Sequence, residues 1–218
     1  MKRVHYIILF YLINHLTLFS QKANEWKLTR NEEGVKIYIR NVEGSRTKEV
    51  LGLTQIKTHL AALVSMVKDP DNHHLWIYAN KSAKLLYSFN DFEWIYYNIS
   101  EAPWPVSNRD LITHALMKQD KSTYKVIIYS NGKPDYIPHK KDLVRVPKLT
   151  SVWEFTPQSD GIVDVRFELT IDLGGDIPAW LVNMAIDKGP FNTLLNMSKV
   201  VKTSKYADTY LSYIMEKP

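Results

Sequence analysis

The chain has 218 residues, 45% of them hydrophobic, with 28 basic and 23 acidic side chains and a formal net charge of +5. That length buries one substantial core and makes a single domain the expectation. The basic residues are scattered, which argues against a nucleic-acid surface. The absence of cysteine excludes disulfide staples, thiolate metal sites, cysteine nucleophiles and an acylated-cysteine export signal.

Lys2 and Arg3 precede "VHYIILFYLI", and "NHLTLFSQ" follows. A short basic region, a brief apolar run and small or polar residues at Ser20-Gln21 have the pattern of a secretory signal peptide. The unbroken apolar stretch 6–13 is far shorter than the roughly 20 residues a spanning helix needs. We therefore expect residues 1–20 to be a signal peptide and 21–218 a single mature domain of net charge +3, with 26 basic and 23 acidic residues. An exported chain without cysteine fits a bacterial periplasm or cell envelope, or secretion from the cell.

"VKIYIR" (35–40) alternates Val35, Ile37 and Ile39 against Lys36, Tyr38 and Arg40, as a half-buried antiparallel strand does, and Gly34 marks the turn before it. "TKEVLGLTQI" (47–56) is its partner across the polar turn "NVEGSR". Over 58–70 the spacing becomes helical through Leu60, Leu63, Val64 and Val67, and Pro70 ends it. "AKLLYSF" (83–89) and "EWIYYNIS" (93–100) read as strands joined at Asn90-Asp91. "APWPVSNRDL" (102–111) then feeds the strand "RDLITHALM", and "TYKVIIYS" (123–130) comes next.

"NGKPDYIPHKKD" (131–142) is a long irregular connection of the kind that serves as a lid or binding loop. "SVWEFTP" (151–157) and "IVDVRFELTIDLGG" (162–175) form the last pair of strands. In the second, Val163, Val165, Phe167, Leu169, Ile171 and Leu173 alternate with polar residues. Gly174-Gly175 breaks it, and Asp176 is placed to cap a helix with Pro178 in its first turn. That helix runs through "AWLVNMAID", is disturbed at Gly189-Pro190 and resumes in "FNTLLNMSKVVKTSKYADTYLSYIM". The plan is α+β: a curved antiparallel sheet of seven to nine strands, an early helix and a long C-terminal helix. A sheet wrapped around one amphipathic helix leaves room for an apolar space between them.

Catalytic and metal chemistry is sparse. "KDPDNHH" (68–74) has His74 where a calcium loop needs glycine and Asn80 where it needs a bidentate Glu. Its adjacent histidines lack the i, i+4 spacing of a zinc pair, so it reads as a solvated helix-end loop. There is no G-x-S-x-G, phosphate-binding loop, dinucleotide fingerprint or H-E-x-x-H. Ser107, in a pre-strand turn, and His114, within the following strand, point in unrelated directions and make no triad with Asp110.

The Arg109-Asp110 pair allows three roles: a catalytic couple, a clamp for a charged ligand group, or a structural ion pair. Neighbours on a strand point apart. Arg109 shares its inward face with Leu111, Thr113, Ala115 and Met117, whereas Asp110 goes with Ile112 and His114. The two are therefore not a couple. A buried Arg109 needs a partner, and either a protein carboxylate or a charged ligand group would serve.

In order, "GVKIYIR", "PWPVSNRDLI", "KKDLVRV", "WEFTP" and "IDLGGDIPAWLVNMA…GPFNTLLNM" resemble the START (steroidogenic acute regulatory protein-related lipid transfer) domains. The wording at "WPVSNRD" and "GGDIPAWLVN" is closest to the phosphatidylcholine-transfer branch. The resemblance implies a helix-grip fold: a U-shaped sheet gripping the C-terminal helix around one hydrophobic tunnel. It implies non-enzymatic binding or carriage of one phospholipid, sterol-like molecule or other lipid. At Arg109, similarity to the phosphatidylcholine-carrying members implies a ligand phosphate as the charged group. The loop 131–142 and the start of the C-terminal helix would form its gate.

Given such a tunnel, the inward positions become ligand-binding candidates. These are Trp94, Tyr96, Arg109, Leu111, Thr113, Trp153, Phe155, Val165, Phe167, Trp180, Leu181, Met184, Phe191 and Leu195. Family members that carry a charged pair in the tunnel have it where this chain has Tyr96 and Ala115, which implies a less polar interior here. No cofactor or metal is expected, and the protein is expected to be a monomer. Lys140, Lys141, Lys199, Lys202 and Lys205 would either attract an anionic membrane surface in transient contact or form an ordinary solvated face. The alternative is a cyclase- or hydrolase-like cavity enzyme of the same superfamily, which predicts a perturbed acid or base facing inward.

Overall fold

The computed structural model describes residues 25–42 and 47–218. The expected signal peptide and most of the "NVEGSR" turn lie outside the described residues. The strands are β1 (Lys27–Glu32), β2 (Val35–Asn41), β3 (Lys48–Lys57), β4 (Asn80–Asn90) and β5 (Glu93–Ser100). They continue with β6 (Arg109–Gln119), β7 (Val126–Gly132), β8 (Val144–Arg145), β9 (Lys148–Pro157) and β10 (Ile162–Asp172). All ten join one curved sheet ordered β1-β2-β3-β10-β9-β7-β6-β5-β4, with β8 beside β6. Every pairing is antiparallel except β6 with β8. The count exceeds the expected seven to nine because β8 has two residues and β1 is exposed along most of its length, so β1 shows no alternation.

Between β3 and β4 the chain forms α1 (Leu60–Val67) and a 3-10 turn, Pro70–Leu75. Seven of the eight residues of α1 are buried, so it packs as a core element. Its open N-terminus is capped from the far end of the chain: Leu60 N and Ala61 N donate to the Glu216 carboxylate at 3.0 and 2.7 Å. The 68–74 segment is not the solvated loop expected. His73 is 1% exposed, its Nε2 donates to the Val67 carbonyl at 3.0 Å, and its ring stands edge-on to Trp76 and Tyr96. Asp69 accepts hydrogen bonds from Tyr206 Oη at 2.9 Å and Asn72, and Lys205 Nζ lies 2.8 Å away. The loop thus anchors the C-terminal segment.

The C-terminal rod runs through α2 (Ala179–Asn183), a π-helical turn (Met184–Lys188) and α3 (Gly189–Val200), followed by a short α4 (Ser204–Ala207). Pro178 occupies the N-cap of α2, and Asp176 does not cap it. Pro190 lies in the first turn of α3, where its missing N–H is harmless. The rod ends earlier than its apolar pattern suggested. Packing explains why: α3 lies on β2 and β3, and beyond Val200 the chain turns back toward Asp69. Gly52 on β3 permits that approach, because a Cβ there would stand 2.5 Å from Leu194 Cδ1.

Candidate functional site: an internal cavity

A cavity of about 220 Å³ lies between the sheet and the rod. A wider one of about 780 Å³ shares Ile171, Leu173 and Ala185 with it and is walled by Lys48, Pro147 and the 174–178 turn. Gly174 and Gly175, at φ +66° and +68°, make that turn. A side chain at Gly174 would also meet Pro147 Cδ at 2.9 Å. The first turns of the rod thus line the wider cavity. The loop 131–142 lines neither cavity. It is tied down by Arg145, which donates to the carbonyls of Pro134, Ile137 and Pro138.

The cavity has two unlike walls, set by strand register. On β5 and β6, the cross-strand pairs Tyr96–Thr113, Asn98–Leu111 and Ser100–Arg109 present a largely polar face. On β9 and β10, Trp153–Phe167, Ser151–Leu169 and Leu149–Ile171 present a mostly apolar one, with Trp153 and Phe167 stacked at 4.0 Å. Leu181, Met184 and Ala185 close the top at helical i, i+3, i+4 spacing. Burial pushes the Tyr96 hydroxyl up to about 12 against the opposing pull of the Thr113 and Ser130 hydroxyls. It stays protonated.

Eight of the fourteen candidate residues line this cavity: Tyr96, Arg109, Leu111, Thr113, Trp153, Phe167, Leu181 and Met184. Six do not. Trp94, Phe155 and Val165 lie on the inward face but deeper along their strands, in the core that includes α1, Trp76 and Met66. Trp180 is 49% exposed, on the outer side of α2. Phe191 is buried under the Arg30 guanidinium, 4.7 Å from its ring centroid, and Leu195 packs against the main core. The residues missed include Asn80, Asn98, Ser100, Leu169 and Ile171. The last four follow from alternation started at Tyr96 and Phe167. Asn80, just inside β4, had no such signal.

Arg109 and Asp110 diverge as strand geometry requires. Asp110 accepts two hydrogen bonds from Arg145, at 2.9 Å to each oxygen, and one from Tyr97 Oη at 3.0 Å. Burial raises the Asp110 carboxyl, but the Arg145 and Tyr97 hydrogen bonds outweigh it and hold the group below the usual carboxylate range. Its face is a second, smaller core of Ile95, Tyr97 and Ile112 under the loop residue Ile137. Among the described residues Arg109, 6% exposed and lining the cavity, donates only to Ser107 O, and its Nε has no partner. The protein carboxylate expected as one of its two partners is not found among the described residues. Desolvation lowers its pKa.

The sequence model of the START domain matches residues 14–206. An uncharacterised protein of Pseudomonas aeruginosa is 36% identical over 172 residues, 79% of this chain and 84% of its own. The phosphatidylcholine transfer protein of Mus musculus is 28% identical, over 80% of this chain and 83% of its own. The crystal structure of a STAR-related lipid transfer protein from Xanthomonas axonopodis superposes with a TM-score of 0.76 at 33% identity, covering 82% of this chain and 99% of that one. On its sequence match, its relatives and its sheet-and-rod architecture, the chain belongs to the START domain family.

Proposed function

We propose that this START domain encloses one lipid between its sheet and its C-terminal rod and carries it, or reports its presence, without altering it chemically. The observation that carries this is the two-walled cavity, which shares Ile171, Leu173 and Ala185 with a wider one beside the first turns of the rod. Burying a methylene is worth about 0.8 kcal/mol. A long acyl chain therefore favours such a space by on the order of 10 kcal/mol before the costs of binding. The mouse phosphatidylcholine transfer protein and the Xanthomonas lipid transfer protein, by their names, handle ligands of this kind. Exchange runs past the 174–178 turn and α2, in transient contact with a membrane surface. The setting is the bacterial envelope, reached through the N-terminal signal, and the working unit is a monomer.

Native mass spectrometry of the purified protein, followed by organic extraction, tests this reading. One lipid per chain is the expected result. No co-purifying molecule, together with no binding from a panel of fluorescent lipids, overturns it. Turnover of the bound compound overturns the non-enzymatic part.

A further inference from the structure

Two arginines one residue position apart in the ladder have opposite fates. Arg145, beside Asp110, is neutralised by a carboxylate with two hydrogen bonds and spends its remaining donors on loop carbonyls. Arg109 is as deeply buried, yet among the described residues its guanidinium meets one backbone carbonyl and no anion. The other charged residue lining the cavity is Glu101, and its carboxylate turns to Lys81 at 3.6 Å. A buried cation without a counter-charge is costly, and this one stands on the wall of the space in which the ligand would lie. The Asn80 side-chain oxygen, on the same wall, is also buried without a partner. The β9–β10 wall, with Leu149, Phe167, Leu169 and Ile171 around the single hydroxyl of Ser151, carries no charge to meet a polar head.

We infer that the cavity takes an amphiphile headed by an oxyanion, a carboxylate or a phosphate, with the Arg109 guanidinium as its anchor and the β9–β10 wall around its chain. This rests on the reading that the cavity encloses a lipid. The bound oxyanion supplies the counter-charge that the fold omits, and in so dry a site a charge-assisted hydrogen bond discriminates strongly.

Displacement of a neutral fluorescent lipid by four amphiphiles with the same saturated chain tests it: a fatty acid, an alkyl phosphate, a fatty alcohol and an alkylamine. At least one anion is expected to bind about tenfold or more tighter than the alcohol, with the amine weakest. In Arg109→Gln that preference disappears, the anions binding no tighter than the alcohol in the same variant, and in Arg109→Lys part of it returns. The anion that loses more affinity in Arg109→Gln identifies the head as carboxylate or phosphate. An alcohol that binds wild type as tightly as both anions overturns the anchor, as does a preference that survives in Arg109→Gln. Both results leave the lipid cavity standing. No binding by any amphiphile overturns cavity and anchor together. If Arg109→Gln does not fold, the wild-type ranking decides.

Discussion

Asp110 is 1% exposed and meets Arg145 through both oxygens, so its removal strands a buried guanidinium. Asp110→Asn is expected to lower unfolding free energy by about 3–5 kcal/mol, measured by urea denaturation. Tyr97→Phe, which removes one hydrogen bond to the same carboxylate, costs about 1.5–3 kcal/mol. His73 predicts a pH effect. Burial pushes its imidazole down to about 4, against the raising influences of the Val67 carbonyl, Asp69, Asn98 and Asp71. The native state therefore holds it neutral, while the unfolded chain takes up a proton near the ordinary value of about 6.5. The unfolded state binds more protons in that window, so stability is full above pH 6.5 and falls toward pH 4. The expected loss is on the order of 3 kcal/mol, read from urea midpoints at successive pH values. A flat profile across that window contradicts it.

At the scale of elements, strand alternation was legible and depth was not. Period-two patterning placed Tyr96, Thr113 and Phe167 on the inward face, and the structure puts them on the cavity wall. The same patterning assigned Trp94, Phe155 and Val165 to the cavity. It reports a face and not how far along the strand the floor lies, and α1 with Trp76 fills that end. On the rod, the apolar list ignored helical phase, which turns Leu181 inward and Trp180 outward. β1 escaped because an exposed edge strand needs no alternation. Two predictions belong here. Gly52→Ala is expected to cost about 1–3 kcal/mol through the clash with Leu194, with Leu194→Ala in the same chain suppressing part of that loss. Arg30 Nη2 holds Asp187 at 2.7 Å and so pins the π-helical turn to β1. Asp187→Asn is expected to cost no more than about 1 kcal/mol in stability, since both partners are partly solvated, but to speed ligand exchange in stopped-flow displacement.

For the whole molecule, the capping of α1 by Glu216 and the Asp69–Tyr206 bond hold the C-terminal segment against α1 and the turn that follows it. What remains open between sheet and rod is a pair of cavities that share Ile171, Leu173 and Ala185 on their walls. The fold class and sheet-plus-helix plan were legible from periodicity. The cavity's polarity was not, because Asn80, Asn98 and Arg109 converge only through the β4–β5–β6 register. Titration of wild type and Ala185→Trp with a fluorescent single-chain lipid tests the central claim most directly, with thermal unfolding confirming that both are folded. Saturable binding of one lipid per chain in wild type, lost when tryptophan fills the space at this shared wall position, is the predicted result. Equal binding by both proteins, or uptake that never saturates, would contradict it.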